Sequence, residues 1–340
     1  MNKAAHHSPT LADVARQAGV STATVSRCLN EPDRVAQATR QHVLAAIESL
    51  GYSPNFGAQA LAARRTNTVG AIIPTMENAI FARGLQAFQD ELNQNGITLL
   101  VSSSSYSAER EDEQVRTLVR RGAEGLLLIG LARAPGLYDF LAQHRVPAVA
   151  AWAYDPQAAI PTVGFDNRAA MRSMAEQALA LGHHRVAMIS AKQSGNDRAR
   201  QRVEGVREAL TNAGLNPADL ALVETSYGID EGKAAFAKLM ADAQPTVVFC
   251  GNDVLAVGAM SAARAAGLSV PGDVSITGFD DIELAKVTSP ALATVHVPHR
   301  RMGGEAARAL LRTLSEGSEA TDSVLLETEL KLRGSLTSPA

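Results

Sequence analysis

The sequence predicts a small all-α helix-turn-helix head joined to a larger α/β core of two doubly wound parallel-sheet lobes. Three observations carry that expectation. Residues 10–30, TLADVARQAGVSTATVSRCLN, hold two short amphipathic stretches joined through a glycine. From residue 67 onward, short apolar runs alternate with stretches of helical periodicity, the pattern of a parallel sheet covered by helices. The alternation begins afresh after about residue 166, so two similar units stand in series. With 340 residues, 46% of them hydrophobic, the chain can bury more than one core.

In the head, Thr10 suits an N-cap, and Asp13 stands three residues on, where a capping-box acid belongs. Leu11, Val14, Ala15 and Ala18 give the first helix one apolar face. Gly19 supplies the left-handed residue that ends it, and Val20 tucks the turn against the core. Ser21 caps a second helix, on which Val25, Cys28 and Leu29 fall on one side. Thr22, Ala23, Ser26 and Arg27 fall on the other. A small, hydroxyl-bearing face with one arginine suits a helix lying in a DNA major groove. The same spacing also describes an ordinary amphipathic helical hairpin. A loop at 31–33 leads to a third helix over 36–50, with Val43, Leu44, Ile47 and Leu50 inward and Gly51 as its stop.

Residues 53–65, SPNFGAQALAARR, favour helix behind Pro54 but are too few to hold one alone in water. They read either as a plain linker or as a hinge helix that forms only when DNA and a partner subunit hold it. In the core, strands are expected at 69–74, 97–103, 125–129, 146–151 and 162–165, with helices such as 81–93 and 108–121 between them. After a helix at 167–181 come strands at 185–190, 220–224, 246–250 and 274–278, separated by helices at 200–212, 232–241 and 254–266. A strand at 293–297, a helix at 301–315 and a strand at 325–332 follow. Two such lobes imply a cleft between them, a favoured place for a small ligand.

The formal net charge is −3, so the whole chain is no basic nucleic-acid coat. Residues 1–65, however, hold seven Lys/Arg against four acids, which makes the head +3 and leaves −6 for the rest. A basic head on an acidic body fits a modular DNA binder. The two cysteines, Cys28 and Cys250, have neither a CxxC partner nor a histidine at metal spacing, so no metal and no cofactor is expected. His6 and His7 belong to a polar leader. That leader has no apolar signal-peptide core, and no apolar run is long enough to span a bilayer, so a cytoplasmic location with no membrane partner is expected.

Ligands of open α/β sheets bind beyond the carboxyl ends of the strands. At those ends stand Phe81, Asp166 with Asn167, Arg202, Tyr227, Asn252 with Asp253, and Asp280 with Asp281. Carboxylates and amides bind hydroxyl pairs, arginine grips a carboxylate or phosphate, and rings cover apolar faces. Each acid, taken singly, also reads as an N-cap of the helix that follows, Asp253 and Asp281 most naturally. Enzyme motifs are absent: no GxGxxG after a strand, no HExxH and no GxSxG elbow. The stretch GIDEGKA lacks one spacer and the magnesium-binding Ser/Thr of a phosphate loop, and is rejected.

Taken together, the chain resembles the LacI family of bacterial transcription regulators along essentially its full length. LADVARQAGVSTATVSRCLN is similar to the family's helix-turn-helix and LGYSPNFGAQALA to its hinge. GFDNRAAM, LGHHRVAMIS, FCGNDVLAVGAM and VPGDVSITGFDDIELA follow in the order of its periplasmic-binding-protein-like core. The resemblance implies a head at 1–52, a hinge at 53–66 and a core at 67–340. Its N-lobe would be about 67–165 plus 296–324, and its C-lobe about 166–295 plus 325–335. It further implies a homodimer on a pseudopalindromic double-stranded operator, with Thr22, Ala23 and Arg27 at base edges and Thr10, Ser21, Thr24 and Asn30 on phosphates. Asn55 and Leu61 would act from the hinge, Leu61 as a minor-groove wedge. Phe81, Asp166, Arg202, Tyr227, Asn252 and Asp280 match effector-contacting positions, which moves Asn252 and Asp280 from caps to ligand groups and leaves Asp253 and Asp281 as caps. Ala36 replaces a common serine cap, and Gly57 weakens the hinge helix, so that segment is expected to order only on operator.

The leading expectation is thus a repressor, not an enzyme, controlled by a sugar or sugar acid. A regulator of the same family answering to a purine or a phosphocarrier protein is the alternative. A stand-alone solute-binding protein is opposed by the head and the polar leader.

Overall fold

The computed structural model describes residues 9–53, 65–77, 79–317 and 322–340. The chain divides into two compact units, Met1–Thr66 and Asn67–Ala340.

The first unit contains α1 (Leu11–Ala18), α2 (Thr22–Asn30) and α3 (Gln37–Leu50). Its capping box is made in both directions. The Thr10 N–H donates to Asp13 Oδ2 at 2.9 Å, and the Asp13 N–H donates to Thr10 Oγ1 at 3.4 Å. Bonds from the Thr10 hydroxyl and N–H hold the Asp13 carboxyl below its usual range. Gly19 is left-handed at φ 67°, and the Val20 N–H returns to the Ala15 carbonyl at 3.0 Å. Ser21 Oγ accepts the Thr24 N–H at 3.1 Å, starting α2. Val14, Ala15, Val25, Cys28, Val43 and Ala46 form the core of this head. Leu44, expected inward, is 45% exposed. The inward face of α3 runs through Val43, Ala46, Ile47 and Leu50, and Leu44 lies about 100° round the helix from Val43.

In the second unit, one sheet takes β1 (Thr68–Ile73), β2 (Thr98–Ser103), β3 (Gly125–Ile129), β4 (Ala148–Ala151), β5 (Thr162–Gly164) and β11 (Val324–Leu325). Its order is β11-β5-β4-β3-β1-β2, all parallel. The other takes β6 (Val186–Ala191), β7 (Ala221–Thr225), β8 (Val247–Cys250), β9 (Ser275–Asp280), β10 (Ala293–His296) and β12 (Glu329–Lys331). Its order, β12-β10-β9-β8-β6-β7, repeats the same topology, with only β12 antiparallel. Helices α4 (Ala79–Gln94), α5 (Ala108–Arg120), α6 (Leu137–His144) and α12 (His299–Glu316) belong to the first lobe. The second lobe has α7 (Asn167–Ala180), α8 (Asp197–Asn212), α9 (Ile229–Asp242), α10 (Asp253–Ala265) and α11 (Glu283–Val287).

Two features depart from the periodicity. Helix α11, only five residues long, carries too few turns to mark itself in the sequence. The stretch expected as one strand over 325–332 is two strands, one in each sheet. The Leu326 N–H donates to the Gly164 carbonyl at 2.7 Å beside β5, after which the chain passes to the other lobe. It therefore joins the lobes three times: between β5 and α7, between β10 and α12, and between β11 and β12. One buried cluster runs through these crossings, from Phe88 and Leu127 to Phe165, Phe279 and Val206. Among the described residues, no helix is long and apolar enough to cross a membrane.

Candidate functional site

In the head, α2 presents Thr22, Ala23 and Arg27 to solvent, and Arg27 has no ion-pair partner among the described residues. The buried Val25 and Cys28 on the opposite side fix which face points outward. That outward face offers the chemistry expected of it: a guanidinium fork for a guanine edge and a methyl for a thymine. The hydroxyls assigned to phosphates are already engaged locally. Thr10 Oγ1 donates to Asp13 Oδ2 at 2.7 Å, and Ser21 Oγ lies 2.9 Å from Thr24 Oγ1. Asn30 closes α2. Its side chain, Asn55, Leu61 and the rest of the hinge at 54–64 lie outside the described residues.

In the core, the carboxyl ends of the strands face one another across the lobes. Five of the six residues expected at the effector site, Phe81, Arg202, Tyr227, Asn252 and Asp280, line one recess there. Asp166 does not. It is the exposed N-cap of α7, its Oδ1 accepting the Ala169 N–H at 2.9 Å. The next residue, Asn167, points inward instead, donating to the Trp152 carbonyl and accepting Arg202 Nε, both at 2.9 Å. The expected division of labour after β8 is also reversed. Asn252 is the cap of α10, its Oδ1 accepting the Leu255 N–H at 2.9 Å, which leaves its amide N–H groups as the readier offer to a ligand. Asp253 accepts the Ile282 N–H at 2.8 Å and the Thr294 hydroxyl at 2.6 Å. Asp281 caps nothing either. It takes Arg333 Nη2 at 2.7 Å and lies 3.0 Å from His296 Nδ1.

The recess is electrostatically unfinished. Arg202 is fixed by Asn167, by the Gly251 carbonyl at 2.6 Å, and by the Phe279 ring 3.8 Å beneath its guanidinium. Asp280 is 1% exposed, yet neither carboxylate oxygen accepts a hydrogen bond among the described residues. Its nearest cationic candidate, His299 Nε2, stands 3.7 Å away. Burial pushes the Asp280 carboxyl up to about 6, against the pull of Arg202 and Arg198. Burial, reinforced by the Asp280 charge, pushes Asp253 up to about 8. Burial drives His299 down to about 3, so it is neutral at pH 7. Both His299 nitrogens and Trp152 Nε1 likewise lack partners among the described residues. Unpartnered buried groups are rare and costly, and here three of them stand together. Trp152 and Asp280 also hold left-handed backbones, φ 63° and 102°, as strained residues at functional sites do.

The comparisons fit this geometry. Residues 10–55 match the model for "Bacterial regulatory proteins, lacI family", and residues 175–336 match that for a periplasmic binding protein-like domain. The HTH-type transcriptional regulator MalR of Streptomyces coelicolor is 36% identical over 96% of each chain. Catabolite control protein A of Priestia megaterium is 32% identical over 94% of this chain and 96% of that one. The chain belongs to the LacI family. Among solved structures, the lac repressor dimer bound to operator and the anti-inducer ONPF superimposes with a TM-score of 0.86 at 28% identity, covering 97% of this chain and all of that one. As a LacI-family member the chain is a DNA-binding transcriptional regulator, and its named relatives are regulators rather than enzymes.

Several residues of this LacI-family cleft are not evident from sequence order alone. Arg198 lines the recess one helical turn before Arg202 and donates to the Ile129 carbonyl of the other lobe at 3.1 Å. Its i,i+4 spacing from Arg202 within DRARQR was the available signal. Beside it Asp197 accepts the Leu131 N–H at 3.0 Å, a second bond between lobes. A side chain at Gly130, whose φ is 72°, would collide with the Arg198 guanidinium, so the close approach requires glycine. Trp152, the single tryptophan, directly follows β4 and was open to the strand-end argument. Tyr106, on a left-handed loop at φ 61°, gave no signal.

Proposed function

We propose that the chain is a repressor that binds a pseudopalindromic operator as a homodimer and changes its hold when a sugar or sugar acid occupies the interlobe cleft. Thr22, Ala23 and Arg27 read base edges. Thr10, Ser21, Thr24 and Asn30 position phosphates, and Asn55 and Leu61 act from the hinge. Two-fold symmetry then demands half-sites on one face of the duplex. The dimeric, operator-bound lac repressor among its structural neighbours supports that assembly.

The observation that carries the effector reading is Asp280, buried with no donor to its carboxylate among the described residues, beside the fixed guanidinium of Arg202. Ligand hydroxyls supply what that carboxylate lacks, and Arg198 and Arg202 accept the carboxylate of a sugar acid. The rings of Phe81 and Trp152, 5.4 Å apart and tilted by 57° to one another, offer an apolar surface to a sugar's apolar face. In this reading Phe81, Arg198, Arg202, Tyr227, Asn252 and Asp280 form the effector set, and Asp166 is left out.

The test is operator selection from random duplexes, followed by anisotropy titrations with and without candidate effectors. Arg27→Ala weakens the selected operator by about 1–3 kcal/mol and relaxes its base choice. Arg202→Ala keeps operator affinity and loses the effector response. An Arg202→Ala protein that no longer binds operator, yet is folded, would sink the assignment.

A further inference from the structure

The two acids at the end of β9 are neighbours with opposite fates. Asp280 and Asp281 are both buried and both left-handed, at φ 102° and 53°. Asp281 lies in the ordinary left-handed well, at about 50–70°. Asp280 lies outside it, where a residue with a side chain persists only if its surroundings hold it there. Among the described residues, Asp280 receives no donor, whereas Asp281 receives Arg333 and His296. Burial alone would raise the Asp281 carboxyl, but these two partners outweigh it and hold the group below its usual range.

The main hold on Asp281 comes from the end of the chain. Arg333, 52 residues later, gives Nη2 to Asp281 Oδ1 at 2.7 Å and Nη1 to the Leu292 carbonyl at 2.9 Å. Its backbone is pinned two residues on by Ser335, which has no exposed surface. The Ser335 hydroxyl donates to the Ile276 carbonyl of β9 at 2.6 Å and accepts the Ala293 N–H beginning β10 at 2.8 Å. The Ser335 carbonyl takes the Ile276 N–H at 2.9 Å. The guanidinium is thus tied to the two paired strands whose ends carry Asp280 and His296. On the other side of the turn, Asp253 holds the Ile282 N–H at 2.8 Å. Gripped at Asp281 and at Ile282, the turn keeps the Asp280 backbone from relaxing.

The geometry assigns Arg333 as a positioning residue for the effector. Acting through Asp281, it fixes the turn that keeps the Asp280 carboxylate bare in the recess. Arg333 itself does not line that recess. Without the grip, Asp280 leaves its left-handed backbone and turns its carboxylate to water or to the nearby arginines, so a ligand's hydroxyls lose their unsatisfied partner. This rests on reading the recess as the effector site and adds a residue outside it, brought from the far end of the chain.

The test is a double-mutant cycle on the full chain without ligand, read as urea midpoints of Trp152 fluorescence at pH 7. Asp280→Asn is made in three backgrounds. These are the parent, Asp281→Asn/Arg333→Gln, which neutralises both partners and strands no charge, and Arg333→Lys, which keeps a cation for Asp281. In the parent, Asp280→Asn should raise the midpoint. In the neutralised pair at least half of that rise should vanish, because Asp280 has already left its bare position, and Arg333→Lys should keep more than half. Should the neutralised pair fail to fold, Asp281→Asn alone carries the same comparison, with a smaller rise than the parent's expected. An Arg333 that merely braces the lobe lowers both midpoints of each comparison alike and leaves the rise intact. That result overturns the proposal while the effector reading stands. A rise lost as fully in Arg333→Lys as in the neutralised pair also overturns it, since the ion pair is then not what holds the turn. If Asp280→Asn gives no rise even in the parent, the carboxylate is already satisfied and both readings fall.

Discussion

Asp280→Asn should make the ligand-free core more stable, because it removes a buried charge to which no described residue donates a hydrogen bond. The carboxyl is raised from 3.8 to about 6 even with Arg198 and Arg202 nearby, so their attraction is already included. A raised acid is protonated in both folded and unfolded chains below 3.8, where it imposes no penalty. The penalty grows as pH rises from 3.8 to 6 and is complete above that. A rise of that size corresponds to about 3 kcal/mol at pH 7, and linkage leaves about half of that at pH 5. Asp253, pushed up to about 8 by burial and by the Asp280 charge, is neutral across this window in the parent chain. The amide keeps the shape of the side chain and cannot ionise. Trp152, the only tryptophan and 1% exposed, gives a fluorescence signal for the core alone. Urea unfolding at pH 7 and pH 5 should show the variant ahead by about 3 kcal/mol and then by about half as much. A variant less stable than the parent at pH 7, or equally ahead at both pH values, would mean that Asp280 has donors in solution and that the recess is already satisfied without a ligand.

Three further outcomes are expected. Ser21→Ala removes the hydroxyl that accepts the Thr24 N–H, costing the head about 1 kcal/mol by thermal unfolding followed by circular dichroism, with the Trp152 transition of the core unmoved. Asp197→Ala leaves the Leu131 N–H without its acceptor and Arg198 without its 3.2 Å partner, and should destabilise the core by about 2–4 kcal/mol in urea. Lowering pH from 6.5 toward 4 should cost stability through His299, whose folded value of about 3 lies below its unfolded one. A His299→Gln variant should show a flatter pH dependence over that range.

Much of this architecture is legible because it is local. The capping box of Thr10 and Asp13, the left-handed Gly19 and the cap Ser21 each act within four residues, and their bonds form where the residue types demand them. Strand and helix periodicity marks both α/β repeats for the same reason. What sequence left open was the choice between neighbours. In Asp166–Asn167 and Asn252–Asp253, either residue can cap a helix, and the winner is set by where the chain leaves the strand. Asp166 became an exposed cap and left the recess to its neighbour Asn167, whereas Asn252 both caps its helix and lines the recess, with Asp253 turned toward Ile282 and Thr294. Nor can periodicity say that β11 and β12 belong to different lobes, since the switch depends on a bond from Leu326 to Gly164, far away in sequence. Tyr106, Trp152 and His299 reach the recess from three separate segments, and only the closed fold brings them to Asp280.

The inward turn of those neighbours explains how the recess can hold unpaired groups without collapsing. Asn167 and the Gly251 carbonyl occupy Arg202 from one side, and Phe279 supports it from below, so the guanidinium is not free to swing and neutralise Asp280. Asp253 and Thr294 satisfy each other, and Asp281 is consumed by Arg333, so no spare donor from the second lobe reaches Asp280 either. Across the cleft, the first lobe offers rings and the neutral, buried His299. The cost of the bare carboxylate is thus maintained by satisfied neighbours, and it is relieved only by donors from outside. On the proposed reading, a ligand's hydroxyls regain that cost on binding. Because Asp197 and Arg198 anchor the opposite lobe from the first turn of the helix that also carries Arg202, any shift of that helix on binding must alter the bonds to Leu131 and Ile129. The three crossings between the lobes are where such a change is transmitted, which makes the pairing of Asp197 with Leu131, rather than the ligand contacts themselves, the sensitive measure of whether occupancy moves the lobes.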